Sequence, residues 1–362
     1  MTAGYARSAQ FKRAFAILAV AIAAIGPTAC GNNSSGTNPV VVADPLRPFD
    51  LQAHRGGRGM TIEESLPGFA KAVELGVTTL ELDIVLTADK TPVIWHDPVI
   101  QAEKCADTAP VSPGDPRFPY VGKLVHDLTY AQIRTLDCGK KLAGFPAAQE
   151  LPGNRIATLP ELFDVVKSHP GAFDTVRYNI ETKIEAAHPE QSATPREFVD
   201  VILGAVERAG ALGKIEIQSF DWSSLPLVEA QNSAIPTVAL YDETTFAPNS
   251  PWLGPISYEE HAGDPLDAIR ALGANIASPA YVDPWNADAK VGDKYFKLTT
   301  TAEYIREAHG FGIRVIPWTV NDKATIGLAL DQGVDGLITD YPNRARDVMQ
   351  EKGYLLPRSF RK

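Results

Sequence analysis

Residues 79–86 read Thr79-Leu80-Glu81-Leu82-Asp83-Ile84-Val85-Leu86. The stretch alternates with a period of two, which is the side-chain period of an extended strand. Leu80, Leu82, Ile84 and Leu86 form one row; Thr79, Glu81, Asp83 and Val85 form the other. If the apolar row packs on helices, the second row faces the interior of the sheet. Arg177 to Glu185 repeats the arrangement, with Tyr178, Ile180, Thr182 and Ile184 alternating with Asn179, Glu181, Lys183 and Glu185.

Seven further strand-like runs flank these two. They are Phe49–His54, Pro92–His96, Lys214–Phe220, Pro236–Tyr241, Ala274–Ser278, Ile313–Val320 and Gly336–Thr339. Helical patterns fall between most of them, as at Ser65–Leu75, Leu159–His169, Pro195–Ala209, Trp222–Gln231, Ala302–His309 and Lys323–Asp331. Repeated β-then-α over this length reads as an α/β fold, most simply a closed TIM-type (β/α)₈ barrel. Nine runs are one too many for eight strands. Thr87–Thr91 is too short for a crossover helix and reads as a hairpin turn, which leaves open which run lies outside the barrel. The Pro/Gly-rich residues 101–152 show no βα repeat and read as an insertion after the third strand. Asp242 to Pro265 is polar, Pro-rich and aromatic, and reads as a rim loop.

The 362 residues are 44% hydrophobic and 22% charged, which suits one large globular domain. A formal net charge of −10 argues against a nucleic-acid-binding surface. The first 29 residues carry Arg7, Lys12 and Arg13, then the apolar run Ala14–Ile25, then small residues before Cys30. That is the layout of a bacterial export signal. Removing it takes away three cations and leaves a net charge of −13. Cys30 resembles the lipid-modified cysteine of bacterial lipoproteins. The Gly/Asn/Ser-rich residues after it fit a flexible tether over 30–46, although Pro27 stands where such signals usually have Leu. The expected location is therefore exported: a cell-envelope lipoprotein, or a periplasmic or secreted protein. The barrel is expected over 47–350, with a short tail over 351–362. Cys105 and Cys138 both lie in the insertion and are expected to pair, as exported cysteines do.

The chemistry sits at the ends of the strands. Glu81 and Asp83 side by side repel each other unless a cation lies between them. Glu181 can complete a three-carboxylate pocket for a hard divalent ion, Mg²⁺ or Ca²⁺, with Lys183 adding a positive charge. An interior ion-pair network without metal is the alternative. His54 and His96 each end a strand beside a charged residue, Arg55 and Asp97. A pair so placed fits one neutral base and one protonated acid, whereas either alone would read as a core histidine. Arg55 offers a planar fork to phosphate oxygens, or a structural ion pair with an interior carboxylate.

The order His54-Arg55-Gly56, Glu63, Glu81-x-Asp83 and His96-Asp97 resembles the glycerophosphodiester phosphodiesterases. So do Glu181-x-Lys183, Ser219-Phe220, Trp318-Thr319-Val320-Asn321 and Asp335-Gly336-Leu337-Ile338-Thr339-Asp340. Each motif alone is weak; the ordered set, from about Leu51 to Pro342, is strong. The resemblance implies a barrel of the phospholipase-C-like superfamily, with His54 and His96 as general acid and base. It implies metal ligation by Glu81, Asp83 and Glu181, phosphate binding by Arg55 and Lys183, and lining by Glu63 and Trp318. The implied reaction cleaves a small glycerophosphodiester to glycerol 3-phosphate and an alcohol. Ile62 and Glu64 depart from the family pattern, and Glu64 adds a negative charge beside the expected site. The remaining histidines, His126, His169, His188, His261 and His309, are expected at the surface. Trp252, Trp285 and Tyr258 lie in rim segments, where they could stack on a cationic head group or simply pack. Two other readings are a phosphodiesterase acting on lysophospholipid or sphingomyelin, and a tethered solute-binding lipoprotein. The second requires two lobes and widely separated histidines.

Overall fold

The computed structural model describes residues 48–362; the expected export segment over 1–29, Cys30 and the whole of the expected tether over 30–46 lie outside the described residues. Nine strands form: β1 (Asp50–Ala53), β2 (Thr79–Leu86), β3 (Pro92–Ile94), β4 (Arg177–Thr182), β5 (Ile215–Ser219), β6 (Thr237–Tyr241), β7 (Ile276–Pro279), β8 (Arg314–Val315) and β9 (Gly336–Thr339). Their order is β8-β7-β6-β5-β4-β2-β1-β9, with all neighbours parallel. Three backbone bonds cross the remaining seam, from Asp335 N to Val315 O (3.0 Å), Ile338 N to Pro317 O (3.0 Å) and Val320 N to Ile338 O (2.9 Å). The result is a near-closed eight-strand parallel barrel, as the alternating β and α patterns led us to expect.

The ninth strand is β3, which pairs antiparallel with β2 outside the barrel. Thr87–Thr91 makes the expected hairpin turn. Lys90 takes a positive φ of 59°, and its N–H donates to Thr87 O at 2.9 Å.

Helices start where the chemistry provides caps. Ser65, Thr158, Thr194, Asp264, Thr301 and Asp322 each accept a backbone N–H of the first turn. The buried faces of these helices meet the outer faces of the strands in one apolar core, containing Phe69, Leu80, Leu82, Ile84, Phe163, Ile180 and Phe198. Two helices beyond those named above complete the ring, Pro265–Leu272 and Pro342–Glu351.

Inside the barrel the lining is divided. β1, β2, β4 and β5 present Gln52, Glu81, Asn179 and Gln218, all buried. β6, β7 and β9 present Val238, Ile276 and Ile338, which with Ile316, just past β8, form a separate apolar cluster. At the level of Glu81 the charge therefore lies on one side of the barrel; nearer the strand starts, Arg314 of β8 reaches across to Glu216 at 3.4 Å.

The stretch after β3 has a core of its own, built from Trp95, Ile100, Cys105, Tyr120, Val125, Leu136 and Cys138. Val85 joins this core rather than the interior row of β2, because the end of β2 runs past the barrel. Cys105 and Cys138 form the expected disulfide, 33 residues apart in sequence. Replacing both by Ala should lower the unfolding free energy by about 3–4 kcal/mol on the chain-entropy model. Denaturant unfolding measures this, and a loss below about 1 kcal/mol would contradict it.

Candidate active site

The carboxylates owe their proximity to strand register. β2 and β4 pair with Glu81 opposite Asn179 and Asp83 opposite Glu181. Interior rows of adjacent parallel strands therefore place Glu81, Asp83 and Glu181 together, with one oxygen of each within 4.8 Å of the others. Beneath them lies a floor of amides. Gln218 Nε2 donates to Glu81 Oε1 at 2.7 Å, and Asn179 Nδ2 donates to Gln52 Oε1 (2.8 Å) and Gln218 Oε1 (2.9 Å).

β1 ends at Ala53, and His54-Arg55-Gly56 makes one tight turn over the barrel mouth. Arg55 itself sits in the left-handed region at φ 50°, strain that is affordable where surrounding contacts hold the backbone. Its N–H donates to Glu81 Oε2 at 2.8 Å, and its Nε lies 3.1 Å from Asp83 Oδ2. Lys183 Nζ donates to Glu181 Oε1 at 2.7 Å. Glu64 is also buried at a positive φ, 57°, and its Oε1 accepts the Asp83 N–H at 3.1 Å.

Burial and mutual repulsion set the protonation of this group. Burial, then the Asp83 charge, raises Glu81 well above the carboxylate range, and the same two causes raise Glu64. Burial pushes Glu181 up to about 8 against the pull of Lys183. Burial would raise Asp83 too, but the positive field of its neighbours, Arg55 and Lys183 among them, holds it well below the usual range. Both oxygens of Asp83 are buried and accept no aligned hydrogen bond; Oδ2 has only the Arg55 ion pair at 3.1 Å, and Oδ1 has no hydrogen-bond partner. Three buried carboxylates, one of them with no aligned hydrogen bond to either oxygen, fit a hard divalent cation.

Both histidines lean on carboxylates. His54 Nδ1 lies 2.6 Å from Asp340 Oδ1, and His96 Nδ1 lies 3.1 Å from Asp97 Oδ1. The carboxylate acceptors assign each Nδ1 as the protonated nitrogen, which leaves each Nε2 with a free lone pair. His54 Nε2 stands 4.0 Å from Glu81 Oε2. Burial drives the His54 pKa down to about 4 despite the Asp340 charge; burial with Arg55 and Lys183 drives His96 well below its ordinary value. Asp340 is held in turn by Asn321 Nδ2 at 2.7 Å and Arg58 Nε at 2.7 Å. Glu63 accepts from Arg55 Nη1 (3.2 Å) and Arg58 Nη1 (3.3 Å), and it pairs with Lys104. Burial opposes ionisation of Glu63, but these three cations hold it well below the usual range.

One cavity of about 290 Å³ is lined by His54, Arg55, Arg58, Glu81, His96, Glu181, Phe220, Trp285 and Trp318, among others. The structure thus brings together His54, His96, Arg55, Glu81, Glu181 and Trp318 on the cavity wall. Asp83, Glu63 and Lys183 sit directly behind it through the pairs above. Trp318 Nε1 is anchored to Ser278 O at 2.9 Å.

Of the rim aromatics, Trp285 reaches the cavity and packs 4.8 Å from Trp318. Trp252 meets Phe220 edge-on at 6.4 Å, and Tyr258 packs on Phe246 at 5.1 Å. His169 corrects the expectation of surface placement. It is 1% exposed, with Nδ1 against Val165 O at 2.9 Å. Arg58 and Lys104 are absent from the sequence reading, and Asn321 and Asp340 enter it only as motif members without a site role. Arg58 lies three residues beyond Arg55 in the same tight turn, which was the available signal.

A parallel barrel with acids, imidazoles and guanidinium groups gathered at the C-terminal ends of its strands is the layout of a barrel hydrolase. The model of the glycerophosphoryl diester phosphodiesterase family matches residues 54–344, and the chain belongs to that family, whose members are phosphodiesterases. A glycerophosphodiester phosphodiesterase of Bacillus subtilis (strain 168) is 25% identical over 311 residues, covering 83% of this chain and 86% of its own. A human lysophospholipase D is also 25% identical, covering 82% of this chain and 85% of its own. A solved structure assigned to the family, from Silicibacter pomeroyi DSS-3, superposes with a TM-score of 0.69 at 27% identity, covering 86% of this chain and 96% of its own. A phosphodiesterase of Oleispira antarctica, solved with sn-glycerol-3-phosphate, shares the fold at a TM-score of 0.58 and 18% identity, covering 83% and 96% of the two chains.

A cation entering the acidic pocket competes with protons on the raised carboxylates. Calorimetric titration with Ca²⁺ or Mg²⁺ should therefore show affinity rising from pH 5 toward the Glu181 pKa of about 8, with proton release on binding. Affinity independent of pH would contradict this.

Proposed function

We propose that the protein hydrolyses a small glycerophosphodiester to glycerol 3-phosphate and an alcohol, using a divalent cation, Ca²⁺ or Mg²⁺. The observation that carries the reading is the pairing of two imidazoles with two carboxylates, His54 with Asp340 and His96 with Asp97, around one cavity. Glu81, Asp83 and Glu181 would hold the cation, which would supply positive charge to a phosphate oxygen and to the attacking hydroxyl.

The protein's own groups do the rest. Arg55 binds and orients the phosphate oxygens, and Lys183, held behind the wall on Glu181 at 2.7 Å, adds positive charge to the phosphate site. The free Nε2 of one histidine takes the proton of the glycerol 2-hydroxyl as that oxygen attacks phosphorus. The other histidine, protonated in the complex, gives its proton to the leaving alcohol oxygen as the P–O bond breaks. Water then opens the cyclic phosphodiester with the two roles exchanged. Burial lowers both imidazoles in the empty site, and the negative charge of a bound phosphodiester acts in the opposite direction, toward the protonated form the acid role requires. Trp318, Trp285 and Phe220 form the apolar wall against which the substrate rests.

A single barrel with both imidazoles on one cavity removes the two-lobed solute-binding alternative. Residues 1–29 as an export signal, 30–46 as a tether and lipid attachment at Cys30 remain part of this proposal. They would place the enzyme in the cell envelope. No helix among the described residues is long and apolar enough to cross a membrane.

The test is glycerol 3-phosphate release from glycerophosphocholine with Ca²⁺, with Mg²⁺ and with a chelator, beside a lysophosphatidylcholine control. The expected result is chelator-sensitive release from the water-soluble diester. Loss of at least about 10²-fold in His54→Ala and in His96→Ala should accompany it, the scale of general acid–base catalysis. Unchanged turnover in both variants would rule out the assigned acid and base.

A further inference from the structure

We propose that Lys104 is a positioning residue of the active site, delivered to it by the disulfide-braced insertion. The inference rests on the acid–base reading above and deepens it. Lys104 lies outside the barrel sequence, in the stretch after β3, and is only 6% exposed. Buried lysines persist where carboxylates pair with them. Lys104 has two such partners: its Nζ pairs with both Glu63 and Asp97, and it lies 5.0 Å from the Trp95 ring centre.

Those partners are the supports of the catalytic groups. Glu63 holds Arg55 at 3.2 Å and Arg58 at 3.3 Å. Asp97 holds His96 at 3.1 Å. One ammonium group therefore ties the support of the phosphate-binding guanidinium to the support of one imidazole. Lys104 does not line the 290 Å³ cavity. It lines a cleft of about 20 Å³ between the rim and the insertion, beside Glu63, Trp95, Cys138 and Phe145. That cleft is too small for a phosphodiester, so Lys104 acts through its partners rather than on substrate.

The backbone around Lys104 is tied down on the far side. Its own N–H and that of Cys105 donate to Gln101 O at 3.1 and 2.9 Å. Cys105 is bonded to Cys138. Ala106 and Asp137 exchange two backbone hydrogen bonds of 2.8 and 3.0 Å. Lys140 Nζ donates to Ala102 O at 2.8 Å and to Cys105 O at 2.9 Å. The insertion thus fixes where the ammonium group sits, as a preorganised site requires.

The experiment compares steady-state kinetics on glycerophosphocholine, at saturating cation, for the wild type, Lys104→Met, Lys104→Arg, Asp97→Asn, Lys104→Met/Asp97→Asn and His96→Ala. Thermal unfolding of each is measured alongside. Lys104→Met should lower kcat at least about tenfold while KM moves less than about threefold, because the side chain touches no substrate. Lys104→Arg should restore kcat to within about threefold. The double variant should lose less than the product of the single losses, since residues in one ion-pair network are coupled.

Wild-type kcat in Lys104→Met, or a lowered melting temperature with kcat unchanged, would overturn the proposal, as would losses that simply multiply. Lys104→Gln serves as the second variant if Lys104→Met does not fold, with the same expected loss of kcat. A dead His96→Ala beside an unaffected Lys104→Met rejects only the role of Lys104. Wild-type turnover in His96→Ala rejects the acid–base reading as well.

Discussion

Three carboxylates cannot share a buried pocket as free anions, and the structure around them is organised by that constraint. Parallel pairing of β2 with β4 leaves no choice about their proximity. Asp83 and Glu181 are register partners, and Glu81 lies one interior step below. In the low-dielectric mouth of the barrel the charges must be neutralised by protons, by side-chain cations or by a metal ion. All three remedies are legible. Glu81 and Glu181 titrate high, while Asp83 keeps its charge beside Arg55 and Lys183. Arg55 adopts a left-handed backbone to put its N–H on Glu81 and its side chain against Asp83. Neither Asp83 oxygen accepts an aligned hydrogen bond, and Oδ1, away from the Arg55 ion pair, is the one best placed to turn to an ion.

The divided barrel interior follows from the same demand. Buried charges need polar neighbours within reach, and these come from the amides of Gln52, Asn179 and Gln218 on the acidic side. Opposite these amides the interior closes with Val238, Ile276, Ile316 and Ile338. Acidic groups and imidazoles thereby share the mouth with an aromatic wall of Phe220, Trp285 and Trp318. One end of a diester finds charge there and the other finds apolar surface. The imidazoles are kept neutral by burial and oriented by carboxylates on both sides. That leaves their Nε2 atoms ready to accept a proton.

Much of this was written in local sequence, because strand alternation is local. The rows Glu81/Asp83 and Glu181/Lys183 could be read directly from a period of two. The five-residue turn at Thr87–Thr91 excluded a crossover and so anticipated a strand outside the barrel, though only pairing could show that it is β3. Asp97 stands next to His96 in sequence. Asp340, by contrast, is 286 residues from His54, and nothing in the spacing of either announces the pair. Lys104 lies in a stretch with no periodicity, where burial has no sequence signature. His169 failed the surface expectation for a related reason: a histidine at a helix end looks polar until its carbonyl partner is in view. β8 is shorter than its apolar run, yet past Val315 the chain still bonds on both sides, Ile316 N to Ala277 O (3.0 Å) and Trp318 N to Pro279 O (3.1 Å) on β7, and Val320 N to Ile338 O (2.9 Å) on β9.

The occupant proposed for the pocket of Glu81, Asp83 and Glu181 is one divalent cation. Anomalous diffraction from crystals soaked in Mn²⁺ tests it directly. The account predicts one dominant peak at ordinary metal–oxygen distance, about 2.0–2.6 Å, from oxygens of all three carboxylates. A peak elsewhere, or a pocket that stays closed on Arg55 and Lys183 at saturating Mn²⁺, would contradict it.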